Sequence, residues 1–206
     1  MSGNALHSGM FAGLLLASLL ACASDGIHVR EYVLTPLAAS ASSAPTGARV
    51  RELVVGPVVL PPYLRRSEIV TRVGDNELHA SDAHRWGEDL AQGLARVVAE
   101  NLAMLAPNRR VSAFPSRALG SDDDRVSIEV ARFEQMPDGS VALEARWELV
   151  QGNDASPLAV RSASFSEQIS GSDPAAIGES MSRAAAQLSH EIARTLPADD
   201  GSVATD

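Results

Sequence analysis

The one thiol of this 206-residue chain, Cys22, closes an apolar run that begins at Met10, and it follows directly on Leu19-Leu20-Ala21. Small residues before a lone cysteine at the end of such a run read as a lipobox. Its chemistry is thioether formation with a diacylglyceryl group, cleavage before the cysteine, and acylation of the freed amine. An apolar segment of about a dozen residues fits the core of a secretory signal and is too short to cross roughly 30 Å of hydrocarbon as a helix. Residues 1–21 are therefore expected to be a removable signal, with Cys22 the first mature residue and residues 22–30 a lipidated tether. The stretch Met1 to Gly9 holds no Lys or Arg, only His7 and the terminal amine, so Met10 is a second candidate start. A plain signal peptide with a chance cysteine, or a short buried helix, are the alternatives.

Other reactive residues are scattered. His28, His79, His84 and His190 show neither an HExxH pattern nor paired Cys/His spacing, so no metal is expected. The run Asp122-Asp123-Asp124 lacks the alternating acids, glycine and distal glutamate of a calcium loop, and reads as a solvated loop. Gly178-Glu179-Ser180-Met181-Ser182 misses the hydrolase elbow at its last position and falls inside a helical pattern. No glycine-rich phosphate loop is present, and no nucleotide or other cofactor is expected. The unusual local feature is Pro61-Pro62-Tyr63-Leu64-Arg65-Arg66, where an apolar strand ends and an aromatic, a leucine and two guanidinium groups follow. Tyr and Arg are favoured interface anchors, so Pro61, Pro62, Tyr63, Leu64, Arg65 and Arg66 form a candidate partner-binding loop. The alternative is an ordinary strand end with Tyr63 folded back on the core. Trp86 and Trp147 read as core residues, with a position facing a partner or a lipid chain as the alternative.

These residues must be placed by a small set of elements. Glu31 to Thr35 has the composition of a first strand, and Ala38 to Ala48 that of a loop. Arg51 to Leu60 is apolar on both faces, as in the middle of a covered sheet, and Pro61-Pro62 ends it. Ile69–Val73 and Glu77–Ala80 flank Gly74-Asp75-Asn76 as a hairpin. Trp86, Leu90, Leu94, Val97, Val98, Leu102 and Leu105 recur at helical steps, predicting a helix from about Ala83 to Leu105 capped by Ser81 or Asp82. A strand follows near Arg110 to Ala113. Val126, Ile128 and Val130 alternate with polar residues, as do Val141 to Leu149 beyond the turn at Met136 to Ser140, giving a long hairpin. Arg161 to Ile169 has a hydroxylic outer face suited to a sheet edge. Asp173-Pro174 opens a second amphipathic helix that ends at Pro197, and residues 197–206 read as a disordered tail. The expected fold is α/β (α+β): one domain, residues 31–196, with a mixed β-sheet covered by two long amphipathic helices.

Composition narrows the function. The formal charge is −9, and all 17 basic residues are arginine. A nucleic-acid partner or a polybasic lipid patch is not expected on such a chain, so the membrane would be held through the N-terminal acyl chains. A single cysteine allows no internal disulfide. Ala23 stands after Cys22 where, by the general rule for enteric lipoproteins, an aspartate would retain the protein at the inner membrane.

Gly56-Pro57, Pro61-Pro62-Tyr63-Leu64, Ile69-Val70-Thr71-Arg72, Leu78, Arg85-Trp86 and Glu100-Asn101-Leu102-Ala103 together resemble the ABC-type and MCE transport auxiliary lipoprotein family, the paraquat-inducible protein C-like family. The resemblance runs from about Tyr32 to Leu196. Arg66 departs from it, since an aspartate is common nearby. The resemblance implies a non-catalytic lipoprotein at the periplasmic face of the outer membrane, an MCE-domain protein as partner, lipid transport between membranes, and self-association into a homo-oligomer. The rival from another class is a membrane-anchored periplasmic hydrolase acting on lipid or peptidoglycan. A domain that itself carries single lipids is a third reading.

Overall fold

The structure, a computed structural model, describes residues 28–38, 51–115, 123–152, 157–171 and 173–197. Cys22, Asp122 and the tail beyond Pro197 lie outside the described residues, as do most of the tether and most of the 38–48 loop.

Eight strands build one mixed sheet: β1 (Arg30–Tyr32), β2 (Arg51–Val59), β3 (Glu68–Gly74), β4 (Glu77–Trp86), β5 (Arg109–Ala113), β6 (Asp124–Gln135), β7 (Ser140–Val150) and β8 (Ala159–Gln168). The helices are α1 (Leu90–Leu105) and α2 (Ala175–Thr195). The hub is β6. Along one side it pairs antiparallel with β7, which carries β8 at the edge. Along the other side its first half pairs parallel with β2 and its last residue with β3, Thr71 lying opposite Gln135. Outward from these, β5 runs parallel to β2, β4 antiparallel to β3, and β1 parallel to β4. The expected mixed sheet with two helices is what forms.

Alternation explains most of this. Val126, Ile128 and Val130 of β6 and Leu143, Ala145, Trp147 and Leu149 of β7 are buried under the helices. α1 lies over β2 and β5 with Leu94, Val97, Val98 and Leu102 inward, and α2 lies over β7 and β8 with Met181, Ala184, Leu188 and Ile192 inward. Each such leucine taken out of water contributes about 1.5–3 kcal/mol. β2 is central, as its two apolar faces require: Leu53, Val54 and Val55 are all buried. Pro57 is tolerated within it because the register shifts between Val55 and Val58. Gly56 there has φ +123°, and a Cβ on it would meet Phe114 Cβ at 3.0 Å. β8 pairs only with β7 among the described residues, the edge position its serine-rich face predicts.

Three expectations are corrected. The helix predicted from Ala83 begins at Leu90, and residues 77–86 continue the hairpin as β4. The spacing of four between Trp86 and Leu90 matches a helix by coincidence. Most of β4 is only partly buried, so it offers no clean alternation. The cap is not Ser81 or Asp82 but Asp89, whose carboxylate accepts from Gln92 N at 3.0 Å. Next, Asp124 is not part of a solvated loop. It starts β6, is 1% exposed, and accepts from Arg109 Nη1 at 2.6 Å. Finally, the first strand stops at Tyr32, and the chain then leaves the sheet to run across the helices.

That crossing is a strap. Arg96 of α1 donates to Leu34 O at 2.9 Å, Thr35 N donates to Ser182 Oγ of α2 at 3.0 Å, and Leu37 N donates to Asn101 Oδ1 of α1 at 2.7 Å. Asn101 Nδ2 in turn donates to Ser189 Oγ of α2 at 3.0 Å, with both side chains fully buried. Leu34, 1% exposed, plugs the seam.

Candidate functional site

Where β2 and β3 run in succession along the same side of β6, the chain between them is folded into a tight turn. Pro61 and Pro62 cannot continue a ladder, and Pro62–Leu64 forms one 3-10 turn closed by Leu64 N to Pro61 O at 3.0 Å. Leu60 and Leu64, each 3% exposed, are pegs in the core on either side of it. Leu64 is thus not an offered contact residue, which corrects the sequence reading of this loop as exposing a leucine.

Tyr63 folds back, as the alternative reading of the loop had it. Its hydroxyl donates to Glu134 Oε2 at 3.0 Å. Glu134 is fully buried on β6, on the strand face opposite Phe133. It also accepts from Arg72 Nε and Nη2, each at 3.0 Å, and from Phe133 N at 3.0 Å. A buried carboxylate without such donors would be costly, and here two oxygens take four. Burial and the adjacent Glu134 carboxylate raise the Tyr63 hydroxyl above its ordinary value of 10.0. The hydrogen bond to Glu134, opposed by burial, raises the Arg72 guanidinium. Arg72 Nη1 closes the network on Asp75 O at 3.0 Å.

What the turn leaves outside is cationic. Pro62, Arg65 and Arg66 are exposed, Pro61 and Tyr63 half-buried. Arg65 Nε donates to Leu60 O at 2.9 Å, which fixes its stem, and Arg66 Nε lies 3.4 Å from Glu68. Val59, 47% exposed, adjoins them at the end of β2. The structure therefore joins the six residues into one rigid turn and presents three of them outward, two as guanidiniums. Glu134 and Arg72, which hold it, were not read from sequence as a site. Position 134 has the parity of Val126, Ile128 and Val130, but the register shift between Val130 and Arg132 turns it to the face opposite Phe133, where the turn covers it, and no local pattern in the sequence marks that shift.

Other chemistry is sparse. Among the described residues no group of three His, Cys, Asp or Glu side chains is placed to hold a metal. His84 Nδ1 meets the Tyr32 hydroxyl at 3.1 Å. Ser180, within the elbow-like sequence, lies inside α2 and bonds Gln168 O at 3.3 Å. A shallow hollow of about 590 Å³ over the uncovered face of β6, β7 and β8 is lined by Glu129, Glu144, Arg146, Ser162 and Ser164. Trp86 and Trp147 are both core residues, 6% and 3% exposed.

Residues 32–193 match the model of the ABC-type transport auxiliary lipoprotein component. The chain belongs to that family. The matched span takes in the 61–66 turn, Arg72, Glu134, α1 and α2 as far as Ala193. Within the family, the intermembrane transport lipoprotein PqiC of Escherichia coli is 28% identical over 129 residues, covering 63% of this chain and 67% of that one. The Shigella flexneri protein of the same name matches equally. The fold is shared with the crystal structure of an uncharacterized protein, with TM-score 0.68 and 23% identity over 81% of this chain and 97% of that one. A Xanthomonas campestris protein gives TM-score 0.61 and 20% identity over 80% and 93%. No helix among the described residues is long and apolar enough to cross a membrane.

Proposed function

We propose that this auxiliary lipoprotein is a non-catalytic subunit of an MCE/ABC-type intermembrane lipid-transport system. Acyl chains on Cys22 hold it at the periplasmic face of the outer membrane, and an MCE-domain protein grips the outward side of the Pro61–Arg66 turn. The observation that carries the reading is that turn: a cationic loop on a chain of net charge −9, locked by a buried Tyr63–Glu134–Arg72 network far more elaborate than a strand end requires. A preorganised loop loses little freedom on docking, which favours affinity. The tether supports the same picture. The eight residue-to-residue steps from Cys22 to Arg30 reach at most about 28 Å, so β1 stays close to the bilayer. Several copies bound to one partner would form the homo-oligomer.

The test is recovery of the partner from native membranes. Full-length protein solubilised in detergent is expected to bring down an MCE-domain protein, and the Arg65→Glu/Arg66→Glu variant to lose it while keeping its melting temperature. Recovery that is absent, or indifferent to the charge reversal, refutes the docking role. Release of a lipid or peptidoglycan fragment by the purified chain would point instead to the hydrolase.

A further inference from the structure

The β3–β4 hairpin overhangs the sheet. Thr71 lies opposite Gln135, the last residue of β6, so residues 72–78 run past the end of the strand that carries β3. Among the described residues the two strands pair there only with each other, Arg72 with Leu78 and Gly74 with Glu77. Arg72 stiffens the overhang from within, its guanidinium joining Glu134 in the sheet to Asp75 O in the turn, each at 3.0 Å. On this arm Val73 is 51% and Leu78 38% exposed. Single exposed aliphatics are ordinary on a protein surface, and it is position that singles these out.

The same end of the molecule receives the anchor. β1 runs parallel to β4 with Arg30 opposite His84, so the chain before Arg30 comes from the hairpin's side, and Val29 there is 47% exposed. From His84 back to Glu77 the strand is about 23 Å long. The steps from Cys22 to Arg30 reach at most about 28 Å. With the strands upright on a bilayer, the hairpin tip therefore stands no more than about 5 Å above the layer that holds Cys22. Any slack in the tether presses the tip into the headgroups. The tip is also acidic: Asp75 and Glu77 are exposed, as is Asp138 on the β6–β7 turn at the same end. Anionic lipid repels such a tip, whereas ethanolamine and choline headgroups offer it an ammonium.

We infer that the tip of the β3–β4 hairpin is a second membrane contact, which seats Val73 and Leu78 in the headgroup layer of a zwitterionic phospholipid bilayer and sets Asp75 and Glu77 against its ammonium groups. Two aliphatic side chains do not hold a free domain. Beside an acyl anchor on a short tether they act at high local concentration, and what they fix is orientation. Glu68, which follows the Pro61–Arg66 turn, lies six residues before Gly74, so the turn stands about 20 Å above the tip, clear of the headgroups and open to a partner. The inference rests on the acylation of Cys22 and not on the identity of the transport partner.

Acylation of Cys22 leaves the full-length protein without a free thiol, so a nitroxide can be placed by Val73→Cys, Leu78→Cys or, as a control, Leu158→Cys. Leu158 is 50% exposed and stands before β8, at the opposite end of the sheet. The acylated protein is bound to vesicles of phosphatidylethanolamine and phosphatidylcholine, and collisions of the label with oxygen and with a water-soluble nickel chelate are compared. Relative to the same labels in unanchored Cys22→Ala protein, those at 73 and 78 are expected to gain oxygen and lose nickel, and that at 158 to stay unchanged. Hairpin labels that stay open to nickel on vesicle-bound protein overturn the contact and leave the anchor standing. Protein that does not float with the vesicles overturns the anchor, and the contact with it. Nickel exclusion without a gain in oxygen marks a protein cover and overturns lipid as the occupant. Replacing phosphatidylethanolamine by phosphatidylglycerol should weaken the hairpin signal, and Asp75→Asn/Glu77→Gln should restore it. A signal indifferent to that exchange contradicts the headgroup pairing.

Discussion

At Glu134 a carboxylate closed to solvent takes hydrogen bonds from the turn, from β3 and from its own strand, and these bonds decide how firmly the turn is held. Tyr63→Phe removes one donor of four and is expected to cost about 1–2 kcal/mol in urea unfolding. Arg72→Met leaves the buried charge without its counterion and is expected to cost about 3 kcal/mol or more. The Tyr63 proton gives a pH signature. Its folded value lies above 10.0, so the stabilisation is complete below pH 10. Above that, the unfolded chain loses the phenolic proton while the folded one keeps it, and stability falls as pH rises. With no lysine and two tyrosines in the chain, little else titrates between pH 9 and 11. The wild type should lose stability across that window more steeply than Tyr63→Phe. Equal slopes would mean the hydroxyl does not meet the carboxylate.

Among the elements, the strap over α1 and α2 ties the chain that follows β1 to the helix pair. Asn101→Ala removes the acceptor for Leu37 N and the donor to Ser189, for an expected loss of about 1–3 kcal/mol. Hydrogen exchange at the Leu37 amide should speed up with it, and unchanged exchange would show that the strap is held by other means. This scale also shows what a sequence can carry. β6 and β7 are legible because each has one wet and one buried face, and α2 because its apolar stripe runs unbroken between two prolines. β4 is not, since its residues are half-exposed on both faces and Trp86 happens to stand four before Leu90. The strap, the Arg109–Asp124 pair and the Tyr63–Glu134–Arg72 network are invisible for a shared reason: their partners lie between 15 and 147 residues apart, and no local period links them. The 61–66 loop was legible as a place where something unusual happens, but not in which side chains face out, because burial of Leu64 is decided by the sheet around it.

For the molecule as a whole, the attachment proposed for a chain of net charge −9 is through hydrocarbon. Each buried methylene contributes about 0.8 kcal/mol, and one chain binds only marginally, so on the proposed reading full acylation of Cys22 would set the residence time. Cys22→Ala should move the protein from the membrane to the soluble fraction while the melting temperature of the domain stays the same, since Cys22 lies outside residues 32–193. Retention in the membrane would mean another attachment. The central claim, that an anchored domain is gripped at its cationic turn, is tested most directly by a photo-crosslinking amino acid at position 66 in native membranes. An adduct between this chain and an MCE-domain protein, absent when the same group stands at position 146 on the open sheet face, is the predicted result. Illumination that yields no such adduct from position 66, or yields it equally from 146, would contradict the account.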